Sequence, residues 1–471
     1  MILVPNHRRQ LSGNKILVFG FLLFTLACST TKNITNKGQN VKKGETIQNI
    51  DNKPVFQKDI DTVEWKFIPA EVVRPLLDPP PLTGSEIIKL KLYRENSEIL
   101  DQYNLNLYLP FFTSRFSNTD INFNNRLTEW SFHFYNGLKM ALNKELPSSS
   151  KISLSVIDTE ANPNILTKKL SEIDNIPQLI IGPYRSVNVE KMNQFTMESD
   201  IPFISPYSGG GDVVGQNETF IKLNPSLEVH FQNQLKYILR TYSAQQILVI
   251  GFEDIQEKNA INILQSEYAI MNDSLGIEPL DTYILPDTAI LAPDFDLAIE
   301  MIDRNDTLAV MIPAWTNESY ILSILRNLSQ LQSDSTDYVV FGMPQWKDYE
   351  HIDYSYYQKL NVHITSSFFL NEEHKDFVDF RNNYYTQSGF LPTNETYIGY
   401  DLGRFFIPLL LEFGTKFYKF LDHFSFEGIH TSFEFNPIYR PNENGISEII
   451  KWENTYLNIL KFSDYEFVKV N

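Results

Sequence analysis

The 471-residue chain has one cysteine, Cys28. No internal disulfide can form, so stability has to come from burying apolar surface. The supply is ample: 42% of residues are hydrophobic and 13% aromatic, and a chain of this length can build sizeable cores. Positive charge is scarce, with 40 Lys and Arg against 58 Asp and Glu and a net charge of −18. Binding to nucleic acid or to an anionic membrane surface by charge needs a basic footprint, so both are argued against. Catalytic motifs are missing as well. There is no G-x-S-x-G and no H-E-x-x-H, and the eight histidines, His7, His133, His230, His351, His363, His374, His423 and His430, fall at no metal-ligand spacing. No repeat of solenoid period occurs. These absences leave no expected cofactor, metal or catalytic set.

The N-terminus carries an address. Arg8, Arg9 and Lys15 precede an apolar run at 16–26, which Thr25-Leu26-Ala27-Cys28 closes. The run is short for a bilayer span and has the proportions of a signal peptide. Cys28 stands where a bacterial lipoprotein signal places its lipidated cysteine; a secretory signal cut elsewhere and an uncleaved anchor are the alternatives. Residues 1–27 are therefore expected to be a lipoprotein signal, with Cys28 lipidated and the chain anchored in the cell envelope, facing the periplasm. Residues 28–60 are polar and lack an apolar period, as a disordered tether does. Such a tether reaches about 30 Å. Residues 61–104, with Pro75, Pro79, Pro80 and Pro81, read as an extended segment anchored by Trp65.

From residue 105 strand and helix patterns alternate. Strands are expected at 105–112, 151–157, 179–181, 201–204 and 219–223, with helices at 126–144, 164–173 and after Ser186. A second alternation places strands at 246–252, 281–285, 308–312 and 338–342, and helices at 227–242, 259–271, 295–302 and 319–331. Later come a strand at 362–369, helices at 374–387 and 397–413, and strands at 432–437 and 457–462 with a turn at 442–445 between them. Alternation at this spacing predicts α/β architecture: two Rossmann-like lobes with parallel central sheets.

The stretch 178–211 is the most informative. Leu179-Ile180-Ile181 is a buried strand that Gly182-Pro183 ends; Ser186 is placed to cap the next helix, whose apolar side would be Met192, Phe195 and Met197. A glycine-rich loop, 209–211, follows the next strand. It has no Lys-Ser or Lys-Thr after it, so a P-loop is not supported. Ligands in open α/β sheets sit outside the carboxyl ends of the strands, so this stretch describes a binding crevice. Trp315 and Trp346 each follow a strand of the second run and either close on a ligand or pack in the core. Glu372-Glu373 reads as the acidic start of a helix with Asn371 as its cap.

These segments resemble the type 1 periplasmic binding-protein fold, the leucine-binding-protein-like group of amino acid ABC transporters. The resemblance covers about 105–462 and rests on FYNGLKMAL (134–142), LIIGPYRS (179–186), IPFISPYS (201–208), LVIGF (248–252), VVFGMPQW (339–346) and YIGYDLGRFF (397–406), in order. It implies two lobes joined by three crossovers, with lobe one at 105–225 and 363–418 and lobe two at 226–362 and 419–471. Ligand would sit between them. Carried over, the serine that holds an amino acid's carboxylate matches Ser186, and the loop after I-S-P matches Tyr207, Ser208 and Gly209. The second-lobe aromatic matches Ala314 or Trp315. The acid that meets an ammonium group falls at Gln345, which carries no charge; Tyr184 and Tyr207 narrow the crevice.

Two functions follow from the resemblance. The first is a non-catalytic lipoprotein that binds a small molecule, an amino acid or related solute, and hands it to a membrane permease. The second is a protein-interaction lipoprotein on the same fold, similar to outer-membrane activators of peptidoglycan synthases, whose partner is a cell-wall synthesis protein.

Overall fold

The computed structural model describes residues 97–115, 126–145, 151–206, 217–272, 278–285, 307–332, 336–442 and 444–471. The signal, Cys28, the tether, most of the Pro-rich segment, the helix expected at 295–302 and the loop with Tyr207, Ser208 and Gly209 lie outside the described residues.

The first alternation is β1 (Gln102–Leu109), α1 (Arg126–Glu145), β2 (Lys151–Asp158), α2 (Pro163–Ser171), β3 (Leu179–Ile181), α3 (Ser186–Ser199), β4 (Phe203–Ser205) and β5 (Phe220–Lys222). The second is α4 (Leu227–Ile238), β6 (Ile247–Phe252), α5 (Ile255–Met271), β7 (Asp281–Leu285), β8 (Thr307–Met311), α6 (Glu318–Leu331), β9 (Asp337–Gly342), α7 (Tyr354–Lys359) and β10 (His363–Ser366). The remainder is α8 (Lys375–Ser388), α9 (Asn394–Phe413), a 3₁₀ stretch, β11 (Ser425–Phe426), β12 (Phe433–Pro441), β13 (Ser447–Asn454), β14 (Asn458–Ser463) and β15 (Glu466–Lys469).

The strands form two sheets, ordered β11-β12-β13-β5-β4-β3-β1-β2 and β15-β14-β10-β9-β8-β6-β7. Each holds five parallel strands of the alternation, and β13 adds a sixth parallel strand to the first. Antiparallel strands close one edge of each: β12 and β11 on the first, β14 and β15 on the second. Period-two burial fixes the layers of the first sheet. Leu105, Leu107, Leu109, Leu179, Ile181 and Ile204 join the core under α1 and α9. Tyr108, Ile180 and Phe203 point the other way, to Leu166, Val189 and Met192 of α2 and α3. The second sheet has its own core around Val249, Val310, Val340 and Ile364.

Several expectations need correction. Ser186 does not cap α3. It is the first helical residue, and Arg185 takes the cap position with φ +76° and no side-chain bond to the helix. Met197 is exposed, so the buried side of α3 is Val189, Met192 and Thr196. His374, not Asn371, caps α8 by accepting the Asp376 N–H. The turn near Asn442 joins β12 to β13, a strand the sequence pattern did not suggest, and α7 was not expected either.

The lobe boundaries also shift. β10 belongs to the second sheet, while β11, β12 and β13 lie in the first, so 363–366 and 425–454 change sides. β1 starts at Gln102, and just before it Glu98 O accepts the Thr415 N–H at 3.0 Å, beyond the end of α9. The chain passes between the sheets three times: after β5, after β10 and between β13 and β14. At the first passage Glu453 of β13 pairs with Lys222 at 3.2 Å and accepts the Ser226 N–H at 2.6 Å, with both charged side chains buried. At the second, the 427–432 loop is pinned by Asp401 of α9, a fully buried carboxylate that accepts the N–H groups of Ile429, His430 and Thr431 at 3.0, 2.9 and 2.9 Å. His430 O in turn accepts the Phe369 N–H of the crossover at 2.9 Å.

Candidate functional site

Both parallel runs share one strand order, 2-1-3-4-5. The direction of winding reverses between β1 and β3 in the first sheet and between β6 and β8 in the second. A reversal splays the loops that leave neighbouring strands and opens a crevice at their carboxyl ends. Tyr184 and Ser186 follow β3; Trp315 follows β8. Three of the residues singled out in the sequence therefore lie at the two reversal points.

At the first point the backbone approaches closely. Gly182 has φ +88°, and a Cβ there would lie 2.2 Å from Tyr108 O, so no other residue fits. The half-buried Tyr184 ring packs 5.4 Å from Trp130, and its carbonyl accepts from Asn188 Nδ2 at 3.3 Å. Ser186 is exposed at the start of α3, where a helix N-terminus favours an anionic group. Asp158, at the end of β2, went unnoticed in the sequence. Its carboxylate accepts the N–H groups of Phe111, Phe112 and Thr113 at 2.9, 3.1 and 2.6 Å, the Thr113 hydroxyl at 2.8 Å and the Glu160 N–H at 2.9 Å. It holds Phe112 at φ +55°, with Arg115 4.4 Å above the ring. The alternation of hydrophobic and polar residues in β2 ends at Asp158, and that acid at a strand end was the available signal.

At the second point the two tryptophans separate. Trp346 is fully buried; its Nε1 donates to Ala314 O at 2.8 Å and its carbonyl accepts from Tyr357 at 2.9 Å. It is core. Trp315 is half-buried, and its carbonyl accepts the Tyr349 hydroxyl at 2.8 Å. Gln345 is exposed beside Trp346, in a 3₁₀ turn at Pro344–Asp348. Glu257 and Tyr320, also unnoticed in the sequence, lie near the ends of β6 and β8. Glu257 is buried and accepts the Phe252 N–H at 2.9 Å. Burial pushes its carboxyl up to about 7 against the pull of that N–H, with Asp254 adding to the rise. The Tyr320 ring lies 4.9 Å from Phe252, and its buried hydroxyl has no hydrogen-bond partner among the described residues.

These ends offer rings, a helix N-terminus and hydroxyl donors, which suit recognition of a small polar molecule. The cavities against α1, α8 and α9 are lined by none of Tyr184, Ser186, Trp315 or Gln345. Among the described residues no helix is long and apolar enough to cross a membrane.

No family model matches the sequence, and no curated protein matches it. Solved structures match in fold. A protein assigned as a branched-chain amino acid ABC transporter of Rhodospirillum rubrum has a TM-score of 0.54 at 13% identity, over 78% of this chain and 100% of its own. Full-length LpoA from Haemophilus influenzae has a TM-score of 0.50 at 12% identity, over 81% of this chain and 61% of its own. An ABC transporter substrate-binding protein from Desulfitobacterium hafniense, in complex with Leu, has a TM-score of 0.47 at 16% identity, over 78% of this chain and 100% of its own. The fold is that of the type 1 periplasmic binding proteins: two Rossmann-like lobes with mostly parallel central sheets.

Proposed function

We propose that the protein is a non-catalytic lipoprotein of the cell envelope that binds a small polar solute in a crevice between the two lobes, as substrate-binding proteins of ABC transporters do. The observation that carries this reading is the pair of winding reversals, each with a half-buried aromatic at a strand end, Tyr184 on one sheet and Trp315 on the other. Ser186 and the Tyr207, Ser208 and Gly209 loop supply polar contacts, and Gln345 supplies an uncharged amide where an amino acid binder has a carboxylate. A ligand without a free ammonium group fits that substitution, because a buried cation without a partner is costly. Lipid at Cys28 holds the protein in the membrane and a permease receives the solute.

A thermal-shift screen of sugars, small peptides, amino acids and organic acids tests the reading. A true ligand at a hundredfold its Kd stabilises by about 2.7 kcal/mol, and Trp315→Ala abolishes the shift. If no compound shifts the melting temperature, solute binding is wrong.

A second reading has one observation behind it. Tyr385, Phe390 and Leu391 are 56%, 58% and 65% exposed around the end of α8, an apolar group suited to a protein partner such as a cell-wall synthesis enzyme. Crosslinking in cells separates the two: recovery of a permease supports the first, and recovery of a synthase through the α8 end supports the second.

A further inference from the structure

A cavity of about 320 Å³ lies beside the second passage between the sheets. Its walls come from α8 (Asp376), α9 (Arg404), the 427–432 loop (Glu427, His430) and the second sheet (Asn458, Lys469). An adjoining cavity of about 410 Å³ shares Asp376, Arg404 and Ile429 and adds Lys144 and Asp379. Each therefore presents Lys and Arg in equal number with Asp and Glu: Arg404 and Lys469 with Asp376 and Glu427 in one, Lys144 and Arg404 with Asp376 and Asp379 in the other. Balanced charge of both signs in one small cavity favours a molecule that itself carries both, since a simple anion or cation meets as much repulsion as attraction.

The fittings are held in place. The Arg404 guanidinium lies 5.7 Å from the Tyr400 ring and 5.6 Å from the Phe426 ring, within cation–π range of both. The His430 ring is stacked between Phe368 at 4.5 Å and Tyr397 at 5.7 Å, and its buried Nε2 has no hydrogen-bond partner among the described residues. Glu427 and Lys469 stand 3.8 Å apart, Glu427 largely exposed. Such a pair is weak and can open for a guest.

We propose that this cavity is a second small-molecule site, separate from the strand-end crevice, that takes a small zwitterion. Its carboxylate lies against Arg404 and Lys469 and its ammonium against Asp376 and Glu427. The walls come from β14 and β15 of the second sheet, from the crossover, and from α9 and the loop between β11 and β12 that pack with the first sheet, so an occupant touches segments attached to both lobes.

Calorimetry on the full chain with six probes tests this: the zwitterions glycine, 4-aminobutanoate and glycylglycine, the dianion succinate, the dication butane-1,4-diamine and neutral butane-1,4-diol. At least one zwitterion binds and the other three do not. Arg404→Ala and Asp376→Asn each weaken that binding about tenfold or more, while Trp315→Ala leaves it unchanged. Circular dichroism melts verify that each variant is folded, and Lys469→Ala serves in place of Arg404→Ala if the latter is not. Binding of succinate or the diamine as tightly as any zwitterion overturns the proposal. So does silence from all three zwitterions, or binding lost in Trp315→Ala and kept in Arg404→Ala.

Discussion

The Asp158 carboxylate receives four donors from the segment that leaves β1 and one from Glu160, so it gathers much of the loop at the first winding reversal onto one side chain. Replacing it with Ala leaves those N–H groups without their acceptor. We expect Asp158→Ala to cost about 2 kcal/mol, and Asp158→Asn, which keeps one acceptor oxygen, about half of that. Urea unfolding measures both, and equal, negligible losses would mean water substitutes freely for the carboxylate. The tryptophans show what a residue type cannot reveal alone. Trp315 and Trp346 both follow a strand of the second sheet. Only Trp346 lies over a glycine, Gly342, where a Cβ would come within 2.4 Å of its ring. Ser186 has the chemistry of a cap, but the positive φ at Arg185 starts the helix one residue too early for its hydroxyl to serve.

Elements with continuous apolar β-branched runs, such as β3, β6, β8 and β9, were legible in the sequence because both faces of those strands are buried. β13 was not. Its SEIIKWEN mixes charge into the sheet, and the polar side chains are buried there because Glu453 pairs with Lys222 and with Lys451 at 3.3 Å. Without β13 the return of the chain to the first sheet could not be foreseen, which displaced the lobe boundary. The helix segments behind the resemblance have a physical basis in close packing. A Cβ at Gly137 would lie 1.9 Å from Thr396 O, and one at Gly399 2.2 Å from Phe134 O, so α1 and α9 touch backbone to backbone. Gly399→Ala should therefore destabilise by about 3 kcal/mol, although alanine is the better helix former. A stabilised variant in denaturant titration would show that the two helices can move apart without loss.

For the molecule as a whole, pH acts through buried groups of opposite sense. Burial lowers His230 and His363 to about 4 and His430 to about 3, with Lys222 adding to the drop at His230 and Lys347 at His430. The unfolded chain binds these protons first, so stability is full above pH 6.5 and is lost as pH falls towards 4. Glu257 and Asp401 run the other way. Burial raises them to about 7 and about 6, the folded chain protonates first, and stability declines as pH rises from about 4 to 7. The three histidines outweigh the two acids below neutrality, so we expect stability to rise up to about pH 7 and to flatten there. Glu257→Gln should gain on the native protein from pH 5 to pH 8, as read from urea midpoints. A variant equally weakened at both pH values would mean that the ionised carboxylate is needed.

The two antiparallel closures carry a consequence for biogenesis. β13 completes the first sheet only at residues 447–454, and β14 and β15 complete the second at 458–469, where Asn471 also bonds back to Ile459 N at 2.8 Å. Neither sheet can be finished while the ribosome still holds these residues. Folding of both sheets therefore waits on the single segment 447–469.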